Sequence, residues 1–313
     1  MPPYRDTYIL AHELLRYDAA TVALEAFALA VMIAVTVLSF MKLRTHGDPA
    51  RGFVAWHKAA CVLYILGLIA TVIQGAAALE IIKPFLRDDY EIDRSLDEQK
   101  RLTELQLYTG HIRLLLVTAA ELATFALLVS FTSGLLLARN MGSSPGALSR
   151  GLTLFAYSVA SSTIGLVIAR FGISCVATKH SFRSTQSYFD ILRVSITLTF
   201  VIRLIILLLF VGFVATVFVV LAKGIDQRRK PGVILLISSI LLLVVPVYNM
   251  AIYALTNTPG ELDRVKAKNN RNWFPITDAI FGLWPIMIVL ALIFAVGKKC
   301  HGGLWSTEFA PHK

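Results

Sequence analysis

Two carboxylates stand inside stretches that are otherwise apolar: Glu121 in LLLVTAAELATFALL and Asp278 in PITDAIFGLW. An unpaired charge in hydrocarbon costs about 2.5–3.5 kcal/mol even on the mildest scales, so such groups face a bundle interior or a watery cavity and are candidates for function. A carboxylic acid in apolar surroundings can keep its proton at neutral pH and deliver it to an epoxide or alkene, and aromatic faces can then stabilise the resulting carbocation. Glu121 and Asp278 are therefore the candidate catalytic acids, with Tyr248, Tyr253 and Trp284 as the cation-stabilising wall. Arg203, Asn249 and Glu25, each a polar group within an apolar run, complete the candidate ligand-binding set. Both acids also have structural readings. Asp278 can be an interfacial residue favoured by the dipole at a helix start, and Glu121 can be one half of an ion pair with Arg203 or Arg113.

The elements that must position these groups are helices in a membrane. Of the 313 residues 56% are hydrophobic and 16% charged, and the mean hydropathy is +0.68, too apolar for an ordinary soluble domain. Seven runs are long enough to cross a hydrocarbon core about 30 Å thick: 20–42, 55–80, 111–138, 149–172, 194–222, 232–256 and 275–297. They lack the alternation of a barrel strand. Only a helix satisfies every backbone group within its own segment, so the expected fold is an all-α bundle of seven transmembrane helices. Residues 1–19 form an N-terminal segment, 20–297 the bundle and 298–313 a short tail.

Charge sets the orientation. RTHGDPARGF, RNMGSSPGALSR, KGIDQRRK and the tail from KKCHGG are short and basic, which places them and the C-terminus in the cytosol and the N-terminus outside or in a lumen. The net charge of +10 is spread over these loops rather than gathered in a patch, so no nucleic-acid partner is expected. The first twenty residues, which hold Arg5, Asp6, Glu13, Arg16 and Asp18, lack the apolar block of a secretory signal, so the first helix is expected to direct insertion. Cys61, Cys175 and Cys300 lie far apart and form no CxxC, and neither HExxH nor a DDxxD-type cluster occurs. Neither a metal nor another cofactor is expected.

Secondary features refine the layout. TYILAHELLRY (7–17) can form an amphipathic surface helix. Ser95 and Glu98 have capping-box spacing, so the third helix can begin outside the membrane, with Gly110 its weak point. Ser158 with Ser162, and Gly165 with Ala169, suit close helix contact. His57 and His111 sit near helix ends and read as interfacial, as do Glu25 and Glu80 in the alternative to a ligand role.

Depth unites the polar residues. Glu25, Gln74, Glu80, Glu121, Arg203, Tyr248, Asn249, Tyr253 and Asp278 all fall at the midplane or outward of it, on six of the seven helices. This predicts a polar cavity opening to the outer side, where Asp278 is stabilised by water, Arg203 or Asn249.

Three functions suit such a bundle. Retinal is excluded as a partner, because 275–297 contains no lysine for a Schiff base and Gly282 stands four residues after Asp278. A receptor fits the cavity, although KGIDQRRK and the short tail leave little surface for a signalling partner. An exporter lacks the related halves usual in transporters. An enzyme whose lipophilic substrate arrives through the bilayer fits the minimal loops. RTHGDPARGFVAW and WFPITDAIFGLWPIMIVL, set in this seven-helix layout, resemble fungal integral membrane proteins, some of which accompany secondary-metabolite pathways. Their seven-helix terpene cyclases use buried carboxylates as acids, so the resemblance implies acid-catalysed cyclisation of a small lipophilic metabolite. No catalytic residue is carried over from it. A receptor or small-molecule exporter is the alternative.

Overall fold

Hydrocarbon offers no partner to a backbone N–H or C=O, and the chain meets that constraint with helices throughout. The structure, a computed structural model, describes residues 4–44, 48–83, 96–139, 147–181, 185–222, 230–257 and 274–298. Six continuous helices run α1 Tyr4–Lys42, α2 Phe53–Ile82, α3 Leu96–Arg139, α4 Ala147–Ser181, α5 Thr185–Ala222 and α6 Lys230–Asn257. The seventh, α7, joins a first α turn Phe274–Thr277, a π-helical segment Asp278–Leu283 and an α segment Trp284–Gly297. All seven are long and apolar enough to cross a membrane, the build of a multi-pass membrane protein. Ser95, Cys300 and the tail beyond 298 lie outside the described residues, as do the side chains of 7–14 in the expected surface helix, whose backbone is the start of α1.

Side-chain contacts fix the directions. His111 meets Thr178 and Ser130 meets Tyr157 across α3 and α4, Ser174 meets Ser195 across α4 and α5, and Tyr248 meets Thr277 across α6 and α7. Where two contacts mark one seam, 111–178 with 130–157 across α3 and α4, 174–195 with 170–199 across α4 and α5, and 67–117 with 74–110 across α2 and α3, the numbers rise on one helix as they fall on the other, so these neighbours are antiparallel. We call the end where α1, α3, α5 and α7 begin the proximal end, and the other the distal end.

Helix α3 holds the middle of the bundle. Residues 121–129 are all buried, and nine consecutive helical positions point in every direction, so neighbours surround this segment. Its 44 residues span about 66 Å, roughly twice the core, and its first turn at 97–101 is exposed. The third helix thus begins well before the apolar run, as its sequence predicted.

Helix α7 is pinned by α2. Arg51, in the short 3₁₀ turn Pro49–Arg51, donates from Nη2 to the Gly297 carbonyl at 2.5 Å; His57 Nε2 meets the Leu290 carbonyl at 2.9 Å; and the Tyr64 hydroxyl donates to the Leu283 carbonyl at 2.7 Å. The steps are six and seven residues on the α2 side and seven residues each on α7, so the three contacts form a ladder along one seam. Without a hydrophobic drive between helices in lipid, packing and such bonds must set the register. His57, expected at an interface, is instead completely buried, because an α7 carbonyl is available to it there. Arg51, read from sequence as a topology determinant, is buried as well, at the carbonyl end of α7, where the helix dipole favours a cation.

The π segment follows from Pro285. Proline has no N–H, and its ring would crowd the Phe281 carbonyl in a regular α register. The chain widens instead, and the Trp284 N–H bonds five residues back, to the Ala279 carbonyl. Asp278 begins this widened turn.

One packing expectation is corrected. Ser158, Ser162, Gly165 and Ala169 lie exposed on the outside of α4, and no atom comes within 4 Å of a Cβ built at Gly165. Helix α4 uses another face, carrying Tyr157, Ser174 and Thr178, to meet its neighbours.

Candidate functional site

A cavity of about 460 Å³ lies at the proximal end, between α1, α2, α3, α6 and α7. Each helix lines it with a stripe at helical spacing. From α1 come Asp18, Thr21, Val22 and Glu25; from α2, Thr71, Gln74, Gly75 and Ala78; from α3, Gln106 and Arg113. Tyr248 and Ile252 on α6, and Phe274, Pro275 and Asp278 on α7, complete the wall. The offsets of three, four and seven residues are those of one helix face.

Asp278 forms an ion pair with Arg113, which reaches across from α3. Neither Arg203 nor Asn249 is its partner, contrary to the sequence expectation. Gly282 leaves the aspartate room: a Cβ there would lie 2.7 Å from Asp278 Oδ1 and would push the end of that side chain aside. Arg113 also lies within the field of Glu25. Glu25 is 4% exposed and faces the cavity, and it makes no hydrogen bond among the described residues. Beneath this group stands Tyr64, fully buried and within the electrostatic reach of Arg113, Asp278 and Glu25.

The hydroxyls around the cavity are already committed. Thr21 Oγ1 donates to the Tyr17 carbonyl and Thr71 Oγ1 to the Gly67 carbonyl, both at 2.8 Å. Thr277 Oγ1 donates to the Phe274 carbonyl at 3.0 Å, so the Tyr248 hydroxyl, 2.9 Å from that oxygen, is the donor to it.

Glu121 belongs to a different place. It is 1% exposed on α3, 3.7 Å from Arg203 Nη1 of α5, and neither carboxylate oxygen has a hydrogen-bond partner among the described residues. Thr124, beside it, spends its hydroxyl on the Ala120 carbonyl. The ion pair with Arg203 is one of the two structural partners foreseen from sequence, while Arg113, the other, is taken by Asp278. Ser195 and Thr199, which share a stripe with Arg203, turn to α4: Ser174 Oγ is 3.0 Å from Ser195 Oγ, and Arg170 Nε donates to Thr199 Oγ1 at 2.6 Å.

The remaining candidates are scattered. Tyr253 lies on the α5–α6 seam, its ring 5.4 Å from that of Phe200 and its hydroxyl donating to the Ile196 carbonyl at 3.3 Å. Trp284 packs on Phe27 of α1, and its buried Nε1 has no acceptor among the described residues. Neither residue, nor Asn249, lines the cavity. The structure thus gathers Glu25, Tyr248 and Asp278, pairs Glu121 with Arg203 elsewhere, and leaves Asn249, Tyr253 and Trp284 apart. Glu80, read as interfacial, is paired with Lys83 at the end of α2.

Sequence reasoning missed Asp18, Gln106 and the role of Arg113. The first span was drawn from residue 20, which cut off Asp18, although Asp18, Thr21 and Glu25 already mark one helical face. Among the described residues no group of three or more His, Cys, Asp or Glu could hold a metal ion, so the three carboxyls ring the cavity without converging. The chain matches no protein-family model, no curated protein and no solved structure.

Proposed function

We propose that this protein binds a small, largely apolar metabolite with a polar head in the proximal cavity, and that the cavity opens on the non-cytosolic side of the membrane. The observation that carries this reading is the convergence of polar stripes from α1, α2, α3 and α7 on one hollow. Polar groups within membrane-spanning segments are expensive unless they face such a space. Its volume falls in the range of small-molecule sites, roughly 300–1,000 Å³. Val22, Ile252, Phe274 and Pro275 offer an apolar wall to the body of a ligand, and Glu25, Gln74 and Arg113 a polar one to its head. The short basic loops at the distal end support placing that end in the cytosol.

Binding is better supported than acid-catalysed cyclisation. Asp278 is engaged by Arg113 and Glu121 stands beside Arg203 outside the cavity, so neither presents a free acid to a bound substrate. Cysteine accessibility tests the cavity and its side together. In a chain whose native cysteines are replaced, cysteines at Thr71 and Gln74 react with a membrane-impermeant thiol reagent added outside intact cells, and a cysteine at Glu121 does not. Resistance of positions 71 and 74 from both sides of the membrane, in folded protein, rules the cavity out. Reaction from the cytosolic side alone reverses the orientation.

A further inference from the structure

We infer that the ligand of the proximal cavity is a protonated amine, received by the Glu25 carboxylate and the Gln74 side-chain carbonyl. This inference rests on the reading that the cavity binds a small molecule, and it names the chemistry of that molecule.

Charge is the first ground. The cavity is lined by three carboxyls, Asp18, Glu25 and Asp278, and by one cationic side chain, Arg113. That guanidinium is engaged with Asp278, which leaves Glu25 and Asp18 as the excess. Among the described residues an anionic ligand would meet acids with no free cation to receive it. A cationic ligand favours the ionised form of a neighbouring carboxyl and is held by it in turn.

Hydrogen bonding is the second and independent ground. Glu25 is 96% removed from solvent and faces the hollow without a hydrogen bond among the described residues. Gln74, which also lines the cavity, has a buried Oε1 with no donor among the described residues. The hydroxyl hydrogens of Thr21, Thr71 and Tyr248 are spent elsewhere. The cavity's hydroxyls are therefore spent and no side chain among the described residues donates to Glu25, so an occupant with N–H groups of its own completes the bonding of that carboxyl. An ammonium brings up to three donors together with a positive charge. A quaternary ammonium brings the charge alone and leaves Glu25 and Gln74 without hydrogen bonds.

The test uses the full chain in lipid nanodiscs and three probes of one skeleton: 2-phenylethylammonium, 2-phenylethanol and phenylacetate. The readout is the shift of the thermal unfolding midpoint with probe concentration, which gives an apparent affinity. The ammonium is expected to stabilise the protein, and Glu25→Gln to weaken that effect at least tenfold. Gln74→Leu, which changes no charge, is expected to weaken it severalfold and serves if Glu25→Gln does not fold. Stabilisation by the alcohol or the carboxylate to the same extent as by the ammonium overturns the amine assignment and leaves the cavity as a binding site. Stabilisation by the ammonium that survives both substitutions also overturns it, by placing the amine elsewhere. No shift with any of the three probes removes both the amine assignment and the binding role of the cavity.

Discussion

Replacing Arg203 by methionine keeps the length of the side chain and removes its charge, leaving Glu121 alone at the centre of the bundle. The separation of 3.7 Å sets the scale. Two unit charges at that distance attract by about 4 kcal/mol at an effective permittivity near 20. Removing one partner of a buried pair costs about 3–5 kcal/mol, because the other charge stays buried without compensation. Glu121 has no hydrogen-bond donor among the described residues to take the place of the guanidinium. We therefore expect Arg203→Met to lower stability by about 3 kcal/mol.

Glu121→Gln removes the other charge, and the double substitution removes both. If charge pairing dominates, the double variant is within about 1 kcal/mol of the parent, and the coupling across the cycle is about 2–4 kcal/mol. The assay is reversible unfolding in mixed micelles by titration with a denaturing detergent, followed by far-UV circular dichroism, for all four proteins. A coupling below about 0.5 kcal/mol, the ordinary scatter of independent sites, refutes the ion pair as a determinant of the fold.

Smaller effects are expected at the helix contacts. Tyr64→Phe removes the donor to the Leu283 carbonyl and should cost about 0.6–1.7 kcal/mol in the same unfolding assay. A loss below that range would mean the ladder between α2 and α7 is held by packing alone. Two glycines distinguish a rigid neighbour from a yielding one. A Cβ at Gly67 would meet Val117 Cγ2 at 2.9 Å and the Val117 backbone nitrogen at 3.3 Å, so Gly67→Ala must part α2 from α3 and should cost about 1–3 kcal/mol. At Gly282 the obstacle is the end of the Asp278 side chain, which can swing aside, so Gly282→Ala should stay within about 1 kcal/mol of the parent. The reverse order of the two losses would contradict this account.

The spans were legible because burial of backbone in hydrocarbon allows few alternatives, and a long apolar run reports that directly. Six of the seven are recovered with at least one end nearly in place, and the third starts early, as its capping signal suggested. The fourth span was drawn to end at 172, whereas the structure carries it to Lys179. The added residues include the polar Ser174, Thr178 and Lys179. Ser174 and Thr178 stay because Ser195 and His111 meet them from neighbouring helices. Partnerships were harder to read, since they depend on the rotation of each helix about its axis. Arg113 could face Glu121 or Asp278, and only the assembled bundle turns it to Asp278. Pro285 was visible as an irregularity, but a proline in sequence does not say that the helix will answer by widening to a π turn.

Depth alone does not tell a carboxyl paired between helices from one that faces the cavity. Glu121 is the most deeply placed, yet its position on the all-round buried face of α3 beside Arg203 gives it a structural partner. Asp278 has Arg113. Glu25, which sequence left between a ligand role and an interfacial one, is as buried as a core residue and has no hydrogen-bond donor among the described residues. A buried carboxyl that stabilises no helix contact is a burden on the fold unless something else engages it. What separates a site from a structural ion pair here is which buried carboxyl faces the cavity without a hydrogen bond or close ion pair once the helices have met, and among the described residues that criterion singles out Glu25 over the half-buried Asp18.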